Sequence, residues 1–230
     1  MQLAFAECIA SAEQELFTEM ATSPEKVLEA KRLRYRVYCE ERGFEAGQNG
    51  IEEDSFDCNA RHVLVRSRAT NGVLGTVRVA TARPDHETGF PMERVCSGDL
   101  LASLPRSSTG EVSRFALLRD RSGISPAASA LMRLCLIQGV IQICSEDRLT
   151  HLCALMERTL LRLLRMSAIH FSPVGPMIDY RGMRQPSVWN VNEGLCQARF
   201  ENPAIWSFIT RDGALWPSIA VTHDRVRLAA

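Results

Sequence analysis

Gly110-Glu111-Val112-Ser113-Arg114-Phe115-Ala116-Leu117-Leu118 runs into Arg119-Asp120-Arg121-Ser122-Gly123-Ile124-Ser125, and then into an apolar stretch that opens at Pro126. The first segment predicts a strand. The second is a junction, and Ser125-Pro126 starts a long helix to about Ser145, because serine caps an N-terminus and proline suits the first helical turn. The strand is unusual in its cargo: a carboxylate, a hydroxyl and a guanidinium side by side are expensive to bury, and such a cost marks a site. Strand neighbours alternate, so Glu111, Ser113 and Phe115 are expected on one face and Val112 and Arg114 on the other.

Working outward, Ser23-Pro24-Glu25 caps an earlier helix to about Glu40, with Val27, Leu28, Leu33 and Val37 as its inward stripe. A loop rich in glycine and acid follows. His62–Arg68 and Val73–Ala80 read as strands joined by a Thr70-Asn71-Gly72 turn. Residues 83–104 read as irregular cover for the sheet. After the long helix come a strand at Thr150–Leu155, a helix at Met156–Met166 and a strand at Ile169–Val174. Strand, helix, strand, helix, strand in that order implies right-handed crossovers and a partly parallel sheet, so the class is α/β with an antiparallel N-terminal half. No internal repeat or dividing linker stands out. One domain over residues 1–230 is expected, with residues 1–22 and 176–230 as extensions.

Composition narrows the function classes. Lysine plus arginine and aspartate plus glutamate are 27 each, so no global field points to nucleic acid or an anionic membrane. Only Lys26 and Lys31 are lysines, which leaves nearly all positive charge as guanidinium, the form suited to bidentate pairing with carboxylate or phosphate; a high-GC genome would give the same bias. The eight cysteines form no C-x-x-C pair, and several sit in apolar runs, which fits a reduced cytoplasm. Residues 1–20 are interrupted by Glu7, Glu13 and Glu15 and do not read as a signal peptide. The apolar run Ala130–Cys144 reads as too short and too polar to span a bilayer. The five histidines are scattered, and no metal site is expected. Trp189, Trp206, Trp216, Phe200 and Phe208 read as C-terminal aromatic packing, with a fatty-acyl tunnel wall as the alternative.

The chemistry gathers at two places. The Arg119–Ser125 junction lies between the key strand and the N-terminus of the long helix, where backbone amides converge and a phosphate would rest; a plain turn is the competing reading. Arg34 and Arg36 near Tyr38, Asp54 and Asp57 in the acidic loop, Arg78 on the second strand, and Glu111 form the other group. They are either structural salt bridges or a cluster that holds an amine and tunes a carboxylate base.

Read in order, Arg34-Tyr35-Arg36-Val37-Tyr38, Phe44, Asp54-x-x-Asp57, Arg78, Glu111-x-Ser113-Arg114-Phe115 and Met156-Glu157-Arg158 resemble the acyl-homoserine-lactone synthase superfamily, from about residue 30 to 175. The fold this implies is the GNAT-like acyltransferase fold. Gly175-Pro176-Met177-Ile178-Asp179-Tyr180-Arg181-Gly182-Met183-Arg184-Gln185-Pro186 is similar to a stretch of long-chain N-acyl amino acid synthases and of acyltransferases associated with PEP-CTERM/exosortase systems, which lactone synthases usually lack. Phe44 also stands where lactone synthases usually have tryptophan. The resemblance therefore implies transfer of a fatty acyl group from an acyl carrier protein or coenzyme A thioester to an amino acid or related amine, with no resident cofactor.

Within that resemblance Glu111 is the candidate base, or else a salt-bridge partner of Arg78 or Arg114. Ser113 and Arg114 complete the catalytic set, Ser113 as a hydrogen-bonding group to the donor. The donor would lie along Phe115, Ala116 and Leu117, with its phosphate at Arg119, Arg121, Ser122 and Gly123. Arg34, Tyr38, Phe44, Asp54, Asp57 and Arg78 would form the acceptor side. Arg158, Arg162 and Arg165 share one helix face and would dock an acidic carrier protein, unless that face is simply solvated. The expected setting is the bacterial cytoplasm, or the periphery of the inner membrane, with no nucleic-acid partner and no integral membrane segment. Two alternatives stay open: a lactone synthase using S-adenosylmethionine, and a non-catalytic module that binds an acyl carrier or acyl lipid.

Overall fold

In the computed structural model, which describes residues 9–10, 12–44, 47–82, 89–96 and 98–216, one eight-stranded sheet organises the chain. Strands β1 (Leu16–Met20), β2 (Ala60–Ser67), β3 (Val73–Thr81) and β4 (Thr109–Leu117) form an antiparallel meander. The β2–β3 turn is the one read from the sequence, with Asn71 at φ 57°. Helix α1 (Pro24–Tyr35) begins at Ser23, whose Oγ accepts from the Lys26 amide at 3.4 Å, and α2 (Pro126–Glu146) begins at Ser125, whose Oγ accepts from the Ala128 amide at 3.1 Å.

Period two on the strands decides which helix meets which side chain. Val63 and Val65 of β2 and Val77 and Val79 of β3 pack with Leu136, Val140 and Ile143 of α2 in the main core. The intervening positions face α1, where Leu33 and Val37 pack on Ala116 and Leu118. Gly139 lets α2 approach β2 closely, since a Cβ there would fall 2.2 Å from a Val63 methyl carbon. By length and composition α2 could span a bilayer, contrary to the expectation of too short and too polar. Yet 72% of its apolar window is buried inside the fold, which makes it the core helix.

The C-terminal half departs from the expected strand order. β5 (His151–Met156) runs parallel to β4 after the α2 crossover, as the sequence suggests. Helix α3 (Arg158–Met166) follows, but the expected strand at 169–174 shrinks to β6 (Ser172–Pro173) at the sheet edge. Between β5 and β6 lies β8 (Met183–Asn190), antiparallel to both and joined to the short β7 (Ile178–Asp179). Residues assigned to a C-terminal extension thus supply an interior strand. Trp189 belongs to that strand rather than to a helix, while Phe200 on α4 (Val191–Glu201) is 90% exposed among the described residues. Helix α5 (Pro203–Thr210) covers α2 through Ile205, Phe208 and Ile209. At the other end, β1 makes residues 16–20 an edge strand of the same sheet.

Candidate active site

Strand β4 does not alternate throughout. Ser113 pairs with Arg78 and Ala116 with Thr76, so Arg114 and Phe115 together oppose Val77 in a β-bulge, and Arg114 sits at φ 53°. The extra residue shifts the pattern by one. Ahead of it Glu111 and Ser113 face the α1 side; beyond it Arg114, Ala116 and Leu118 do, while Val112, Phe115 and Leu117 pack toward the α2 core. The expectation that Arg114 lies opposite Glu111 and Ser113, with Phe115 beside them, is corrected by this bulge.

Behind the bulge three guanidiniums and three carboxylates interlock. Arg34 donates to Glu52 and, at 2.6 and 3.0 Å, to both oxygens of Asp57. Arg78 donates to Asp54 at 2.5 and 3.1 Å, to Asp57 at 3.0 Å and to Ser113 Oγ at 3.1 Å. Arg114 donates to Glu52 at 3.0 Å and to Asp54 at 2.9 Å. Burial opposes the charge on Asp54 and Asp57, but Arg78 and Arg114 outweigh it at Asp54, and Arg34 and Arg78 at Asp57, and hold both below the usual carboxylate range. Glu52, unremarked in the sequence, completes the acids; its one available signal was membership of the acidic loop. Arg36, grouped with Arg34 in the sequence reading, is exposed. His62 is buried 3.6 Å from Asp57, and burial with the charge of Arg34 drives its pKa down to about 4.

Glu111 stands apart from that network. Its Oε2 accepts from the Met92 amide at 2.8 Å, and burial pushes its pKa up to about 8 against that hydrogen bond and the charge of Arg78. Pro91–Arg94, a short 3₁₀ turn in the region read as irregular cover, supplies the amide.

Two cavities meet at the bulge. β4 and β5 pair at only three positions, Thr109–His151, Gly110–Leu152 and Glu111–Cys153, and then part. The split opens a cavity of about 320 Å³ walled by Leu117, Ile137, Val140, Leu152, Leu163 and Trp189. A second cavity of about 120 Å³ is lined by Glu111, Phe44, Met92, Tyr180 and Arg181, among others. Tyr38, Val112, Ser113, Arg114, Leu155 and Arg184 line both. Tyr38 is placed by a π-helical turn, Arg36–Glu41, that prolongs α1, and its hydroxyl donates to the Phe115 carbonyl at 3.2 Å. Burial raises its pKa.

The remaining sequence-derived residues divide. Arg121 lines the larger cavity and donates to the Leu118 carbonyl at 3.1 Å and Ser129 Oγ at 2.9 Å. Arg119, Ser122 and Gly123 are exposed and line neither cavity. In the junction the Ser122 amide donates to Asp120 at 3.0 Å and the Ser125 amide to Glu15 at 2.7 Å, so an anion seated there would displace side-chain carboxylates. Arg34, Asp54, Asp57 and Arg78 back the site without lining either cavity. Arg158, Arg162 and Arg165 are exposed along α3, with Arg158 Nε donating to Met177 Sδ at 3.0 Å. Tyr180, Arg181 and Arg184 were seen in the sequence only as part of a motif. Among the described residues no group of three or more His, Cys, Asp or Glu is placed to hold a metal.

Residues 33–125 match the acetyltransferase (GNAT) domain family. TofI, solved in a ternary complex with an inhibitor and MTA, is 21% identical with a TM-score of 0.62, over 82% of this chain and 99% of that one. FeeM, an N-acyl amino acid synthase from uncultured soil microbes, is 18% identical with a TM-score of 0.60, over 81% and 98%. BjaI, a CoA-dependent acyl-homoserine lactone synthase solved with SAM and isopentyl-CoA, is 23% identical with a TM-score of 0.59, over 81% and 88%. A search of curated protein sequences finds no match. The chain has the GNAT acyltransferase fold, in the form shared by acyl-homoserine-lactone synthases and an N-acyl amino acid synthase. None of these names carries an exosortase association.

Proposed function

We propose that this protein is an N-acyltransferase that moves a fatty acyl group from an acyl carrier protein or coenzyme A thioester to the amine of an amino acid or related amine. The observation that carries this reading is the meeting, at the β4 bulge, of an apolar cavity with a smaller one that contains an isolated, buried carboxyl. The acyl chain occupies the split between β4 and β5, where Leu152, Leu163 and Trp189 replace water around it. Its thioester carbonyl lies at Ser113 and Arg114, where the bulge takes backbone groups out of the ladder and makes them available to a developing oxyanion. Glu111 takes the proton from the acceptor's ammonium, directly or through a water. The amine lone pair then attacks the carbonyl carbon, the adduct's nitrogen gives up its second proton to the departing sulfur as the C–S bond breaks and the thiol leaves, and the proton held by Glu111 is released to solvent. No covalent enzyme intermediate is required.

On this reading the Arg34, Arg78 and Arg114 network holds Ser113 and the bulge in place, and the exposed arginines of α3 receive an acidic carrier protein. A cytoplasmic setting, where such thioesters are made, goes with it. The test is thiol release with acyl-CoA and acyl carrier protein donors over a panel of amines that includes SAM, followed by mass spectrometry of extracted lipids. An N-acyl amino acid supports the proposal. A lactone formed from SAM would replace it with the synthase activity named for BjaI, and binding of donor without thiol release would make the protein a carrier-binding module.

A further inference from the structure

The charged groups that line the larger cavity do not balance. Among the described residues they are the guanidiniums of Arg42, Arg114, Arg121, Arg133 and Arg184 and a single carboxylate, Glu157. Glu157 serves Arg184 at 2.9 Å and Arg42 at 3.6 Å, and Arg114 is held by Glu52 and Asp54. Arg121 is fixed by neutral oxygens, the Leu118 carbonyl and Ser129 Oγ. Arg133 is half-buried and makes no hydrogen bond or ion pair among the described residues. Burial and the charge of Arg121 lower its pKa, a direction that a bound anion reverses.

The place of Arg133 along the cavity follows from how α2 crosses the sheet. Gly139 sits against Val63, whose partner Val77 opposes the bulge, while Leu136 lies near Gly75 and Leu117 at the end of β4. Arg133 is one turn further, in line with Ile137, Val140 and Ile141 of the apolar wall and about 10 Å along the helix axis from Val140. This is two turns inside α2 and not at its N-terminus, where the Ser122 and Ser125 amides are already taken by Asp120 and Glu15.

We propose, building on the acyltransferase reading above, that Arg133 and Arg121 form an anion seat at the far end of the larger cavity, and that it holds a phosphate or carboxylate carried by the thioester donor. With the thioester at the bulge, whichever arm of the donor follows the α2 wall brings its end to Arg133. That end is either the phosphate of a phosphopantetheine arm or a carboxylate at the tip of the acyl chain, and both match a guanidinium in charge and shape. A donor without either group leaves two like charges side by side in a partly dry cavity, which is the costlier arrangement.

The experiment is isothermal titration calorimetry with three unreactive thioethers that share one body: S-dodecyl pantetheine, S-dodecyl phosphopantetheine and S-(ω-carboxyundecyl) pantetheine. The expected result is that one of the two anionic ligands binds about tenfold or more tighter than the neutral one. Preference for the phosphate assigns the seat to the pantetheine arm, and preference for the carboxylate assigns it to the acyl tip. Arg133→Gln removes no hydrogen bond or ion pair among the described residues, so it should keep the parent's melting temperature while losing the preference. Arg133→Lys, which keeps a cation, should retain part of it. The proposal is overturned if neither anion binds better than the neutral ligand, or if the preference persists in Arg133→Gln. Thiol release from the matching thioesters is measured in parallel. Release without an anion preference sinks the seat alone, and a preference without release withdraws the acyltransferase reading while the seat stands.

Discussion

Ser113 and Glu111 lie two residues apart on one face of one strand, yet their surroundings are opposites. Ser113 touches a network in which every carboxylate has at least one guanidinium and every guanidinium at least one carboxylate. Glu111 is buried and accepts a hydrogen bond from the Met92 amide. Charges that are mutually paired form a rigid support at the cost of desolvation, whereas a lone carboxyl stays uncharged until pH or a substrate changes that. The same strand therefore holds a fixed platform and a titratable group, separated by a single pleat.

Breaking the platform should have the largest effect. Arg78→Met removes a fully buried guanidinium and leaves the partly buried Asp54 and Asp57 each short of a partner, and a loss of about 3–5 kcal/mol in urea unfolding is expected. A change under about 1 kcal/mol would show that the network is not a structural support. Glu111→Gln should lower kcat by about a hundredfold or more without such a loss.

The pH dependence sharpens the contrast. Glu111 moves from an ordinary 4.5 to about 8 in the folded chain, so between those values the native state keeps a proton that the unfolded state has released. Its contribution to stability therefore falls as pH rises from about 4.5 to 8, and Glu111→Gln should melt higher relative to the parent at pH 8 than at pH 5. Over the same range kcat/KM should climb as the base ionises, with a limb near 8 that is absent in the variant. Asp57, held low by Arg34 and Arg78, behaves oppositely: its stabilisation is present above about 4 and lost as pH falls.

Leu163→Phe narrows the apolar cavity. Long acyl donors should lose kcat/KM by about three- to fourfold per excluded methylene, at ~0.8 kcal/mol each, with short donors little affected. The smallest effect is expected on α3. Replacing Arg158 and Arg162 by glutamate should slow use of acyl carrier protein donors by about tenfold and spare short acyl-CoA, and equal loss with both donors would remove the docking role.

Local signals in the sequence led to the right elements where local chemistry decides. Ser23-Pro24 and Ser125-Pro126 cap their helices because the cap is made within four residues, and Asn71 turns the β2–β3 hairpin because it tolerates positive φ. Arg34, Asp54, Asp57 and Arg78 were singled out together, and they do meet, since period two places Arg78 on the α1 side of β3. Three features were not legible. The bulge at Arg114 carries no glycine to announce it, the Met92 amide comes from a segment without periodicity, and Arg181 and Arg184 line the same cavity as Glu111 because β8 enters the sheet beside β5.

By itself, then, the sequence determined the two capped helices, the β2–β3 hairpin and a set of candidate residues, Arg34, Asp54, Asp57 and Arg78, that come together, because capping, turn geometry and alternation act over a few residues. Only the tertiary structure decided which carboxyl is paired and which is isolated. That choice depends on one inserted residue in β4 and on chain segments far apart in sequence, and the energy of a charge is set by whatever packs around it.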